Sequence, residues 1–235
     1  MSGDTGVLLF VYEGCTFRIA PGVQAPKAGS IFFCRHLGVA AGERVLEIGC
    51  GAGFAAVLAA RAGARVVATD VRPEAVVCTR ENVARNGVDD RVDVRLGDGY
   101  RPVAGERFDL VATSPPQMPT PPERERDDAE AAADNGGADG WRLLERLIRE
   151  APAHLAPGGR FVFTMFGFLG LDGARRRLRA VGLVPDVVAR ETHPFPRLGY
   201  ERLDHLRAID AEGTIPRDAV PRTVERYVVQ GRLAR

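Results

Sequence analysis

The sequence predicts an α/β protein, a doubly wound sheet with helices on both faces. Three observations lead there. Apolar runs of about five residues alternate with longer segments of helical period, the pattern of βαβ units around a parallel sheet. The first of these runs ends in a glycine-rich junction, "VLEIGCGAGF". Acidic residues, Glu47, Asp70 and Asp98, stand at or near the ends of three consecutive runs.

In chain order, strands are expected at residues 44–48, 65–69, 92–96, 109–113, 159–165, 184–191 and 226–230, each a short apolar or β-branched run. Helices are expected between them, near residues 54–62, 73–86, 141–155 and 171–181, where apolar side chains recur with helical spacing. No internal repeat interrupts the alternation. Residues 122–140, "PERERDDAEAAADNGGADG", read as a loop from their charge and small side chains. Residues 192–223 form an unusually long connection, but Phe195, Leu198, Tyr200, Leu203 and Leu206 give it enough apolar surface to pack as an ordered cap. One domain is therefore expected over 1–235, with a covering segment (1–40), a core (41–191), a cap or insertion (192–225) and a last strand (226–235).

Composition limits the function classes. With 235 residues, 45% of them hydrophobic, the chain can bury one sizeable core. No stretch approaches the roughly 20 apolar residues of a membrane span, and the start lacks a basic region before a long apolar one. A cytoplasmic location is expected. Cys15, Cys34, Cys50 and Cys78 show no Cys-x-x-Cys spacing, so no metal site and no disulfide framework are expected. The net charge of +1 supplies no global field toward nucleic acid or anionic lipid.

The glycines Gly49, Gly51 and Gly53 let the chain turn tightly and bring backbone N–H groups and a helix N-terminus against a ligand. The spacing is Gly-x-Gly-x-Gly with a preceding acid, Glu47, and not the dinucleotide pattern Gly-x-Gly-x-x-Gly. Asp70, followed by Val71, is placed to accept from ribose hydroxyls, and Asp98, followed by Gly99, from an adenine amino group. Together these positions resemble the class I S-adenosylmethionine-dependent methyltransferases, over Val45 to Phe163. The resemblance implies a seven-stranded, mostly parallel Rossmann-like sheet whose final strand is antiparallel. It also implies S-adenosylmethionine as cofactor, held by Glu47, Gly49, Gly51, Gly53, Asp70, Val71, Asp98 and Gly99 and leaving as S-adenosylhomocysteine.

The fourth predicted strand runs into "SPPQ", residues 114–117. In a large group of these enzymes the corresponding strand ends in Asn/Asp/Ser-Pro-Pro-aromatic, which orients a nitrogen toward the methyl donor. The resemblance implies that Ser114 Oγ and the Pro115 carbonyl accept the hydrogens of the target nitrogen, as positioning catalysis requires. Gln117 replaces the aromatic residue that stacks on a flat base, which argues against a nucleobase and for a polar, non-planar acceptor. Phe166 and Phe168 are the rings available to substitute for it, or else core residues.

The segments "FRIAPGVQAPKAGS" and "NGGADGWRLLERLIREAPAHLAPGGRFVF" resemble the release-factor glutamine methyltransferases and their small-domain relatives. No room before residue 40 remains for the helical domain of those enzymes, so a smaller substrate is expected. Lys27 and Ser30 should overlie the cofactor pocket, Lys27 either meeting the methionine carboxylate or remaining a solvated lysine. The acidic loop 122–140, with Glu123, Glu125, Asp127, Asp128, Glu130, Asp134 and Asp139, would attract a cationic acceptor. Pro116, Tyr200, Glu201 and His205 are candidate substrate contacts, and His193 or His205 a candidate base. The expected activity is N-methylation of an amine, amide or guanidino nitrogen of a small polar molecule. The alternatives are N-methylation of RNA or of a protein side chain such as glutamine, or a non-catalytic cofactor-binding scaffold.

Overall fold

The computed structural model describes residues 8–125 and 134–234. A two-stranded hairpin, β1 (Leu8–Tyr12) and β2 (Cys15–Ile19), precedes the main sheet. That sheet comprises β3 (Arg44–Ile48), β4 (Arg65–Asp70), β5 (Val92–Leu96), β6 (Phe108–Thr113), β7 (Leu155–Phe166), β8 (Leu183–Pro194) and β9 (Thr223–Leu233). Their order is β5-β4-β3-β6-β7-β9-β8, and β9 runs antiparallel to both its neighbours while the other pairings are parallel. The seven strands and the single reversed one are those expected from the sequence.

Side-chain alternation sorts this sheet into two cores. On β3, Val45 faces one core and Leu46 and Ile48 the other; on β7, Val162 is divided in the same way from Phe161 and Phe163. The first core is covered by α1 (Ala28–Arg35), α2 (Phe54–Arg61) and α3 (Pro73–Arg85), through Phe32, Phe33, Val57 and Val76. The second is covered by α4 (Arg142–His154) and α5 (Leu171–Ala180), through Leu144, Leu147, Ile148 and Leu178. Each such side chain contributes about 1.5–3 kcal/mol on burial. Between β8 and β9 the chain forms two short helices, α6 (Arg197–Glu201) and α7 (Leu203–Ile209), anchored by buried Phe195 and Leu206.

The hairpin and α1 were not expected as regular elements. The hairpin is fastened by two asparagines one turn apart, Asn82 on α3 and Asn86 capping its C-terminus. Asn86 accepts from Thr16 N–H (2.9 Å) and donates to Thr16 O (3.0 Å), and Asn82 does the same for Arg18 (2.8 and 2.9 Å). A helix thus supplies the ladder that a third strand would have provided. The late strands also exceed expectation: β7 begins at Leu155, across a register irregularity between Phe108 and Leu110, and the β8–β9 pairing extends to Pro194 and Thr223. Among the described residues, no helix is long and apolar enough to cross a membrane.

Candidate active site

Parallel strands that end together expose their following loops along one edge, where ligands of such sheets bind. After β3, the N–H groups of Gly49 and Cys50 donate to Thr69 O (2.8 and 3.0 Å), and that of Gly51 to Asp70 Oδ2 (3.0 Å). The other Asp70 oxygen accepts from Arg72 N–H (3.0 Å), so the β4 carboxylate locks both loops. Gly49 and Gly51 have φ of 80° and 55°, in the left-handed region, and a Cβ on either would meet nothing within 4 Å. Gly53 differs, since a Cβ there would lie 2.9 Å from Thr79 Cγ2. The first two glycines leave space for a ligand; the third lets α2 approach α3.

That space is a cavity of about 290 Å³ reached by Gly49, Gly51, Asp70, Val71, Asp98 and Gly99. Asp98 is gripped by the Arg146 guanidinium, at 2.6 Å from Oδ2 and in contact with Oδ1, which holds its carboxyl below the usual range. Glu47 lines an adjoining cavity with Lys27, Ser30 and Ser114. Burial pushes the Glu47 carboxyl up to about 8, with Ala56 N–H opposing the shift and Asp70 adding to it. Its Oε2 is buried and has no hydrogen-bond partner. An orphaned carboxyl oxygen beside glycines that leave room for a ligand fits a cofactor with a cationic head and a nucleoside body.

Ser114, exposed at the end of β6, lines both of these cavities and a third of about 500 Å³. Pro115 and Pro116 separate the 290 Å³ cavity from this third one, and Thr113 Oγ1, donating to Ile48 O (3.0 Å), fixes the strand end beneath them. The third cavity also receives Lys27, Gly29, Phe166, Leu198 and Arg226. Phe166 therefore brings a ring to this cavity, whereas Phe168 is core, stacked on it at 4.8 Å.

Four sequence expectations are corrected here. Gln117 does not offer its amide to an acceptor: Nε2 donates to Thr164 O (3.0 Å) and Pro115 O (3.4 Å), and Oε1 accepts from Phe166 N–H (2.9 Å). It is 5% exposed and splices the Pro-Pro loop to β7. Tyr200, Glu201 and His205 do not line the cavity: Tyr200 packs on Phe195 (5.0 Å), Glu201 pairs with Arg197 (3.1 Å), and His205 Nε2 meets Ala138 O (2.6 Å). The cap contributes Pro196, Arg197 and Leu198 instead. His193 lies on β8 against Phe32 (5.5 Å) and lines none of the three cavities. Of the acidic loop, Asp127, Asp128 and Glu130 lie outside the described residues. Glu125 pairs with Arg142, Asp139 accepts from Trp141 N–H (3.0 Å), and Asp134 alone of the described acids reaches the cavity. Cations line it more than acids do. Arg226 gave no signal in the sequence, because only the β7–β9 register sets it opposite Phe166.

Comparison with known proteins agrees with this geometry. Residues 15–125 match the family model of the methyltransferase small domain. A relative named putative protein N5-glutamine methyltransferase, from Methanocaldococcus jannaschii, is 30% identical over 192 residues, covering 81% of this chain and 96% of the relative. A release factor glutamine methyltransferase of Gloeobacter violaceus is 34% identical over 60% of this chain, which spans only 54% of that enzyme. Among solved structures, the E. cuniculi Mtq2–Trm112 complex, described as responsible for methylation of a translation termination factor, has a chain matching at a TM-score of 0.61 with 16% identity, over 91% of this chain and 99% of that one. YcgJ of Bacillus matches at 0.59 with 15% identity, covering 88% of this chain and 98% of YcgJ. At those identities the structures speak for the fold alone. Sequence family and site geometry coincide: the chain belongs to the class I S-adenosylmethionine-dependent methyltransferases, in their small-domain branch.

Proposed function

We propose that this N-methyltransferase acts on the side-chain amide nitrogen of a glutamine in a protein. The observation that carries the reading is the placement of Ser114, which follows β6 and, with Pro115 and Pro116 beside it, borders the cofactor and acceptor cavities together. An amide nitrogen is a poor nucleophile because its lone pair is delocalised into the carbonyl. Ser114 Oγ and the Pro115 carbonyl accept its two hydrogens, holding the lone pair toward the methyl donor and favouring the charge that develops there. S-adenosylmethionine, when bound, would supply an electrophilic methyl group with its thioether as leaving group, and the amide proton would pass to solvent. Gln117 serves by fixing the direction of the Pro115 carbonyl. Glu47, Asp70 and the backbone of residues 49–51 hold the cofactor.

A protein acceptor replaces the small polar molecule expected from the sequence for two reasons. Gln117, one of the two grounds for a small molecule, spends its amide on the β7 backbone and has none left for an acceptor. Several matching relatives are named for glutamine in proteins, among them the one that covers 81% of this chain and a ribosomal protein uL3 glutamine methyltransferase 38% identical over 51% of it. The test is to incubate the protein with methyl-labelled cofactor and an extract of its host, then separate protein, RNA and small molecules. Label in protein, released as methylamine on acid hydrolysis and accumulating much more slowly with Ser114→Ala, is expected. Label confined to small molecules or RNA would overturn the reading.

A further inference from the structure

The acceptor cavity contains an arginine that the transfer reaction does not use. The Arg226 guanidinium lies 4.0 Å over the Phe166 ring, at the β7–β9 register position where the two residues are direct neighbours. It is half-buried in the cavity wall, and the burial depresses its pKa to about 10. Among the described residues neither a hydrogen bond nor an ion pair engages its N–H donors, which stay open to the cavity. Its seat is built. Gly29, in the first turn of α1, is the residue against which it rests: a Cβ there would lie 2.0 Å from Nη1 and 2.7 Å from Cζ. Lys27 borders the same cavity, and the start of α1 adds the positive end of a helix dipole. Arg197 also borders it but is spent on Glu201, and Asp134, the carboxylate on the opposite account, lies near Gln24 (3.4 Å).

A donor fork of this kind, seated on a ring and lacking an anion, matches the planar geometry of a carboxylate. We infer that Arg226, supported by Lys27, is a subsite for a carboxylate of the acceptor, adjacent to the nitrogen that Ser114 and Pro115 orient. This rests on the glutamine reading only for where the carboxylate comes from. On a polypeptide it is either an acidic side chain beside the glutamine or the free carboxylate of a C-terminal glutamine. Arg226 would then be a specificity-determining residue, selecting among glutamines by their neighbours.

The first experiment needs no acceptor. In protein saturated with S-adenosylhomocysteine, the Nε–H resonance of Arg226 is followed by NMR as acetate replaces chloride at constant ionic strength. A saturable shift, lost in Arg226→Met and preserved in Ser114→Ala, is expected; equal response to chloride and acetate would overturn the subsite. Unchanged S-adenosylhomocysteine affinity in Arg226→Met shows that the variant is folded. Competition against acetate then uses four blocked peptides. Acetyl-Gly-Gln with a free carboxylate is set against its amide, and acetyl-Gln-Glu amide against acetyl-Gln-Gln amide. The carboxylate member of a pair should displace acetate at least tenfold more effectively, and the pair that shows this names the source. If neither pair discriminates, the assignment to a peptide carboxylate falls, while the acetate result and the methylation assay stand independently.

Discussion

The cofactor half and the acceptor half of the active site are built in opposite ways. The cofactor half comes from backbone and from acids within three strand-end loops, at residues 47–51, 70–72 and 97–99, and its one orphaned group is a carboxyl, Glu47. The acceptor half comes from side chains of remote segments, Lys27, Gly29, Phe166, Leu198 and Arg226 around the Pro-Pro loop, and its unpaired group is a guanidinium open to the cavity. Each half holds an ionisable group that has no oppositely charged partner among the described residues. The sign differs, and so does the ligand each half would accept: an ammonium on one side of Ser114, a carboxylate on the other.

The sharpest way to break this comparison is through pH. The folded Glu47 carboxyl, at about 8, lies above its unfolded value, so the folded state holds the proton more tightly. Its contribution is fully present below about pH 4 and is lost as pH rises toward and through 8, amounting to roughly 3–5 kcal/mol over that window. In cofactor-free protein, Glu47→Gln should therefore gain stability relative to wild type from pH 5 to 8.5, measured by chemical denaturation. A difference that does not change with pH would mean the carboxyl is already compensated.

Next in size is the backbone itself. Gly51→Val puts a β-branched residue at φ 55° and fills the empty space before it. S-adenosylhomocysteine affinity should fall on the order of 100-fold by calorimetry, from about 1–3 kcal/mol of strain plus the lost approach. Retained affinity would show that the ligand does not approach this glycine. On the acceptor side, Gln117→Leu leaves the Phe166 N–H and the Thr164 carbonyl without their partner. A loss of roughly 2–3 kcal/mol and a Tm lower by roughly 4–12 °C are expected. An unaltered Tm would refute its splicing role. Ser114→Ala should lower kcat roughly 10- to 30-fold, the value of a lost hydrogen bond to an oriented group, while leaving cofactor affinity unchanged. A matching drop in affinity would place the serine in the wrong half. The smallest effects belong to Tyr200→Ala and His205→Ala, which should change KM less than about twofold, because neither side chain lines the cavity. A larger rise in KM for either would extend the acceptor half outward over the cap.

The same contrast explains what the sequence disclosed. Gly49, Gly51 and Asp70 act through local backbone geometry, so their spacing along the chain is their geometry in space, and the doubly wound sheet follows from the same local alternation. The hairpin escaped notice because Leu8, Leu9 and Val11 are apolar and yet 53%, 55% and 66% exposed, a run without the alternation of a half-buried strand. Its anchorage to Asn82 and Asn86 exists only once α3 has docked. Gln117 was read by what it replaces and not by what lies behind it, β7, which no local pattern brings to residue 117. Arg226 acquires its surroundings from a strand register and a helix, each far from it in sequence.

Gly29 places one constraint outside its own helix. Within α1 an alanine would be preferred by up to about 1 kcal/mol, and nothing in the backbone there demands glycine. What demands it is the guanidinium of Arg226, which occupies the position that the methyl group would take. Substitution at either end of the chain thus changes what is tolerable at the other: a descendant that admits alanine at 29 must swing the Arg226 guanidinium off its present seat or give it up, so the two positions should drift together over evolutionary time.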